Sequence, residues 1–215
     1  MSADGETRDE GSPAAREPVR IDKTLTYHFL RTLSLCVLKS YNRLRVEGSA
    51  NIPASGGCVL AANHASHLDI PILSVITKRH VAFVARDTLD HARWLSFVMR
   101  ECRAVLIKRS TADTRAIRAM VEHLEAGDCV AIYPEGTRTH DGRLGEVKGG
   151  ALLAARMAKV PLVPVGIEGG WRLMNRHMTI PRPAKLIVRI GAPIDPRAKD
   201  AQAQLETALH QLSGT

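Results

Sequence analysis

Short apolar runs alternate with longer amphipathic stretches through most of this chain. Compact apolar runs closed by polar or turn-forming residues predict buried strands. They fall at residues 57–62, 81–85, 104–107, 129–133, 162–167 and 186–190. Between many of them the apolar positions recur at three- and four-residue steps, which predicts helices at 69–77, 91–100, 111–126, 149–159 and 198–212. Strands and helices in alternation specify an α/β fold, with a mostly parallel sheet flanked by helices.

The first 44 residues follow another pattern. Residues 1–20 mix Ser, Ala, Gly, Glu, Arg and Pro without period and read as a disordered leader. Across residues 21–44, Leu25, Phe29, Leu33, Val37, Leu38 and Tyr41 repeat at helical spacing, with Arg31, Lys39 and Arg43 among them. This is an N-terminal amphipathic helix. Such a helix either packs on the domain or docks in a membrane interface.

The chain has 215 residues, 45% of them hydrophobic. That is enough for one sizeable core. Its four cysteines, Cys36, Cys58, Cys102 and Cys129, are scattered through apolar segments, so neither a zinc knuckle nor a disulfide framework is indicated. The net charge is +8, and beyond the acidic leader 27 bases stand against 17 acids. A basic body suits an anionic partner. Aromatic residues make up only 4% of the chain, which disfavours stacking platforms for single-stranded nucleic acid. No signal peptide and no membrane-spanning run is predicted.

The chemistry concentrates just after the first strand, in Asn63-His64-Ala65-Ser66-His67-Leu68-Asp69. Polar residues at the C-terminal end of a parallel strand sit where α/β sheets bind ligands. His64 and Asp69 are five positions apart, so on a continuous helix they would not share a face. Pro71 also disfavours a helix already under way. A loop from His64 to about Leu68, with a helix starting near Asp69, would let His64 fold back onto the carboxylate. A histidine oriented by a carboxylate is a general base near neutral pH. The alternative on these residues alone is a helix-capping Asp69 beside an ordinary loop histidine.

Other polar clusters follow the strands. Lys108-Arg109 could hold a phosphate or simply end a strand in solvent. Pro134-Glu135-Gly136-Thr137-Arg138 forms a rigid turn with an acid, a hydroxyl and a guanidinium, in which Gly136 permits close backbone approach. Lys148-Gly149-Gly150 leads into a helix whose N-terminus favours anions. Residues 160–165 form an apolar strand with two prolines, which points to an edge or a bulge.

In this order the clusters resemble the motifs of the glycerol-phosphate acyltransferase family, and in particular the bacterial lysophosphatidic acid acyltransferases. Asn63-His64 with Asp69 matches the first motif. Val105-Leu106-Ile107-Lys108-Arg109 matches the second, Pro134 to Arg138 the third, and residues 160–165 the fourth. The second motif usually opens with Gly and carries an acid before its Arg. Arg103 and Lys108 stand there instead, which makes the cleft more basic.

The resemblance implies an acyltransferase domain over residues 45–215. It implies transfer of a fatty acyl group from an acyl thioester, acyl-CoA or acyl-carrier protein, to the hydroxyl of a lyso-phospholipid. No metal and no resident cofactor are expected. His64 would be the base and Asp69 its support. Arg109, Glu135, Gly136, Thr137, Arg138 and Lys148 would bind substrate, with a backbone N–H near Gly136 meeting the oxyanion. The residue 21–44 helix would dock the enzyme peripherally at the cytoplasmic face of the membrane. The residues leave two rival readings: a metal-dependent hydrolase using His64, His67 and Asp69, and a nucleic-acid binder resting on charge alone.

Overall fold

The computed structural model describes residues 25–86, 105–107 and 112–214. The leader at 1–20, the expected helix at 91–100 and the residues Arg103, Lys108 and Arg109 lie outside the described residues.

Seven strands form one sheet: β1 (Arg45–Glu47), β2 (Cys58–Ala62), β3 (Val81–Arg86), β4 (Val105–Ile107), β5 (Cys129–Ile132), β6 (Leu162–Glu168) and β7 (Ile187–Ile190). Their spatial order is β1-β7-β6-β2-β5-β3-β4. Every pairing is parallel except β6 with β7. β2 lies at the centre, with β5 and β6 on its two sides.

All five residues of β2 are fully buried, because both faces of the sheet are covered. The two-residue alternation of a strand sorts them. Cys58, Leu60 and Ala62 face Ile72, Leu73 and Ile76, in or next to the helix α2 (Asp69–Val75). Val59 and Ala61 face the other layer. There Met120 and Leu124 come from α3 (Ala112–Glu125), Ala151 and Ala155 from α4 (Gly150–Ala158), and Leu205 and Leu209 from α6 (Ala201–Ser213).

The helix α1 (Leu25–Ser40) turns Tyr27 and Leu38 inward. Arg31 donates to the Ser74 carbonyl at 3.0 Å and the Thr77 carbonyl at 2.7 Å, so its cation caps the end of α2. The opposite face is apolar and uncovered: Leu25, Phe29, Leu33, Val37 and Tyr41 are all exposed. The helix stops before residue 44, and Arg43 follows in a left-handed conformation at φ 50°.

Two elements escape the sequence pattern. β1 is only three residues long and exposed throughout, so no apolar alternation marks it. The five-residue helix α5 (Gly170–Met174) is too short to show a period. The proline-bearing strand β6 is no edge; it is buried between β2 and β7. The expected bulge is present beside it. Val165 pairs with Ile190 and Leu162 with Ile194, which leaves one extra residue on the β7 side opposite Pro164.

Candidate active site

The C-terminal ends of β2, β5 and β6 converge, because the three strands are parallel neighbours. The chain leaves β2 to reach β3 and returns through β5 between them, so the crevice lies where the strand order switches. Each strand delivers one loop to it.

From β2 comes Asn63, buried directly beyond the last ladder residue. Its amide nitrogen donates to the Ile167 carbonyl at 3.1 Å, and its amide oxygen accepts the Ile167 N–H at 2.7 Å. The side chain thus extends the β2–β6 ladder by one rung and fixes where the backbone enters His64. Asn63→Ala leaves both Ile167 groups buried and unpaired, at about 1–3 kcal/mol each. Urea unfolding should therefore show a loss of roughly 2–6 kcal/mol; an unchanged midpoint would remove this role.

The loop folds back as the spacing predicts. α2 begins at Asp69, and Pro71 occupies its first turn, where no helical N–H partner is required. Asp69 is fully buried. Its Oδ2 accepts three hydrogen bonds: from His64 Nδ1 at 2.8 Å and from the Ala65 and Ser66 N–H groups at 2.9 Å each. The carboxylate therefore shapes the loop and orients the imidazole together. With Nδ1 facing the carboxylate as donor, Nε2 is left with its lone pair. Nε2 makes no hydrogen bond among the described residues, and the His64 side chain is 20% exposed.

From β5 comes the turn at 133–139. The Tyr133 ring stacks on His64 with centroids 4.0 Å apart and planes 14° off parallel. Burial, and behind it the Asp69 charge, push the Tyr133 hydroxyl well above its ordinary pKa, so the ring stays neutral beneath the imidazole. An aromatic face there favours an imidazolium. Glu135 is buried, and its oxygens are both taken. Oε1 accepts the His64 N–H at 2.7 Å and Oε2 the Gly145 N–H at 2.8 Å. Burial pushes its carboxyl pKa up, and those two N–H groups pull against that shift. The Thr139 N–H closes the arrangement on the His64 carbonyl at 2.8 Å.

This differs from the expected roles in two places. Glu135 holds two loops in register, with each of its oxygens accepting one backbone N–H. The Gly136 N–H donates to the Tyr133 carbonyl at 2.9 Å, with Gly136 at φ 73°, so it closes a turn and is not available to an oxyanion. Thr137 is exposed beside it. Lys148 is brought to the same turn by its N–H, which donates to the Pro134 carbonyl at 3.1 Å. Its neighbours Gly149 and Gly150 face open space at the start of α4.

Arg138 reaches back across the crevice to the His67 ring. Desolvation and the Arg138 charge hold the His67 imidazole below its ordinary pKa, which keeps it neutral near pH 7. Partial burial, followed by the nearby Arg176 charge, also lowers the Arg138 pKa. Arg176 follows α5 and lies 2.9 Å from His140 Nδ1. Neither Arg138 nor Arg176 has a carboxylate partner among the described residues. Guanidiniums that meet imidazoles rather than carboxylates keep their charge available to an anion. Arg176 was not singled out by sequence spacing, nor were the clamp made by the Asn63 amide and the stacking of Tyr133 on His64; only the fold shows them.

The donors of the hydrolase reading do not converge. Asp69 Oδ2 is filled by three N–H groups, and His67 faces Arg138. Among the described residues no three His, Cys, Asp or Glu side chains are grouped to hold a metal ion.

Known proteins resemble this chain in sequence and fold. The Acyltransferase family model matches residues 43–168. The chain is 28% identical over 144 residues to a 1-acyl-sn-glycerol-3-phosphate acyltransferase of Bacillus subtilis, covering 66% of this chain and 71% of that one. It is 31% identical over 153 residues to the chloroplastic 1-acyl-sn-glycerol-3-phosphate acyltransferase LPAT1 of Arabidopsis thaliana, covering 69% of this chain and 42% of that one. The crystal structure of the 1-acyl-sn-glycerophosphate (LPA) acyltransferase PlsC from Thermotoga maritima superposes with a TM-score of 0.72 at 26% identity, over 86% of this chain and 77% of that one.

Proposed function

The chain belongs to the acyltransferase family, and we propose that it moves a fatty acyl group from an acyl thioester to the free hydroxyl of lysophosphatidic acid, giving phosphatidic acid. The observation that carries this reading is the His64–Asp69 dyad, with its free Nε2, in the same crevice as the Arg138–Arg176 pair.

An alcohol is a poor nucleophile at neutral pH, so it needs a base at the moment of attack. His64 Nε2 takes the acceptor's proton as its oxygen closes on the thioester carbonyl. Asp69 stabilises the imidazolium that forms and fixes its orientation. Collapse of the tetrahedral adduct expels the thiolate, which recovers the proton from His64. Ser66 is no enzyme nucleophile, because its hydroxyl donates to the Met174 carbonyl at 3.0 Å. The acceptor phosphate lies between Arg138 and Arg176, and Lys148 and the second-motif residue Arg109 add to that cationic wall. The donor, acyl-CoA or an acyl-carrier protein, enters as co-substrate.

The acceptor and its acylated product are both lipids, so the reaction belongs at a bilayer surface. No helix among the described residues is long and apolar enough to cross a membrane. We assign docking to the uncovered stripe of α1 and the residue just after it, Leu25, Phe29, Leu33, Val37 and Tyr41, whose four-residue steps set each beside the last on the exposed side. The enzyme is then peripheral, at the cytoplasmic face that soluble acyl thioesters reach.

Thiol release from acyl-CoA, measured against lysophosphatidic acid concentration, tests the assignment. Arg138→Ala should raise the acceptor KM by about ten- to a hundredfold, as expected when a charge-assisted bond to a phosphate is removed. The donor KM should hardly move. An unchanged acceptor KM would place the phosphate elsewhere, and absence of acceptor-dependent thiol release from the unaltered protein would end the proposal.

A further inference from the structure

The segment between α5 and β7 has a composition unlike the rest of the chain. Between Glu168 and Asp195 the sequence holds Arg172, Arg176, Arg182, Lys185 and Arg189 and no acid. Arg189 is neutralised by Glu47 and Glu168. The other four are exposed and have no carboxylate partner among the described residues. At the tip of the loop stands Ile180, 75% exposed, between Thr179 and Pro181. An isolated exposed isoleucine needs no explanation in itself. One exposed in the middle of a loop that carries Arg176, Arg182 and Lys185, none with a carboxylate partner among the described residues, does.

The loop is braced in that position. Its root is bound to the catalytic loop: the His67 N–H and the Ser66 hydroxyl both donate to the Met174 carbonyl at 3.0 Å. The Arg182 N–H returns to the Leu173 carbonyl at 2.8 Å, and the Met178 N–H donates to the Asn175 carbonyl at 3.1 Å. Pro181 and Pro183 fix the backbone on both sides of Arg182. At its far end, the Leu186 N–H donates to the Asn42 carbonyl just beyond α1. The loop therefore joins the mouth of the crevice to the foot of the docking helix.

We propose that the loop at 175–185 is a second bilayer contact, in which Ile180 enters the headgroup layer while Arg182 and Lys185 bind the phosphates of anionic lipids. Charge complementarity selects this partner. A cytoplasmic leaflet presents a negative surface over an apolar interior, and the loop presents cations around an apolar tip. Its place at the crevice entrance means that an acceptor leaving the bilayer passes it. The inference rests on the reading that the acceptor is a membrane lipid.

The test uses the full chain and sedimentation with two vesicle types, phosphatidylcholine alone and phosphatidylcholine mixed with phosphatidylglycerol. Ile180→Asp should weaken partition into the mixed vesicles by about tenfold, roughly the loss expected when one aliphatic side chain no longer inserts. The double variant Arg182→Glu, Lys185→Glu should lose most of the preference for anionic over neutral vesicles, at about fivefold per charge. Thiol release with a short-chain, monomeric lysophosphatidic acid should be unchanged in both, which shows the site intact. In an Ile180→Trp variant, lipids brominated in the acyl chains should quench the added fluorescence. Undiminished partition in both Ile180→Asp and the double variant overturns the proposal, as does failure of the bromine to quench. Absence of thiol release from the unaltered protein with the short-chain acceptor would instead count against the acyltransferase reading and leave the vesicle result standing on its own.

Discussion

His64→Ala is expected to lower kcat by at least about a hundredfold, the lower end of what a positioned general base contributes. The fold should survive, because the imidazole is not in either hydrophobic cluster and Asp69 keeps the Ala65 and Ser66 N–H groups without it. What His64 gives the fold it gives through its backbone, whose N–H meets Glu135 and whose carbonyl meets Thr139. Alanine keeps both of those groups. The acceptor KM should change little, since phosphate binding lies with Arg138 and Arg176. The assay is steady-state thiol release under saturating acceptor, beside a thermal melt of the same preparation. Near-normal turnover would mean that Nε2 does not take the proton.

Asp69→Asn is the second large effect, and it separates charge from shape. An asparagine oxygen in the place of Oδ2 can still accept the Ala65 and Ser66 N–H groups and the His64 ring N–H. The loop therefore keeps its form, and the variant should melt close to the parent. The negative charge is lost, however, and with it the stabilisation of the imidazolium. If the amide turns the other way, its NH2 faces Nδ1 and drives the ring to the wrong tautomer. Either outcome costs kcat, on the order of a thousandfold, below the roughly ten-thousandfold seen for the same change in the serine-protease triad. Asp69→Ala is a poorer probe, because it strands two buried N–H groups and destabilises the loop as well. A turnover close to the parent's in Asp69→Asn would reduce Asp69 to a structural clamp.

The dyad was legible in sequence because three local signals agree. An apolar run ends at Ala62, polar residues follow at once, and Pro71 forces the helix to begin at Asp69 rather than earlier. The parallel α/β frame was legible for a similar reason: buried strands such as β2 and β6 need apolar residues on both faces. What stayed hidden depends on contacts far apart in the chain. β1 has no burial of its own, and the β7 partner that makes it a strand lies some 140 positions away. The stripe on α1 was readable as helical, but not which way it faces. Five of its six periodic residues point outward, because Tyr27, Leu38 and Arg31 hold the other side to the domain. Glu135 and Gly136 stand in a motif that suggests substrate contact, and the fold spends their polar groups on backbone instead. Arg176 carries no motif at all. Only the turn after β5 and the helix α5 after β6, delivered from the two sides of β2, bring it near Arg138.

The most direct test of the mechanism is a rapid-quench measurement of thiol release when the enzyme is mixed with acyl-CoA alone. Because the acceptor's own hydroxyl is the nucleophile that His64 activates, no burst of thiol and no acyl adduct on the protein should form until lysophosphatidic acid is added, after which thiol and diacyl product should appear one for one. A stoichiometric thiol burst without acceptor, with the acyl mass retained on the chain, would contradict that account.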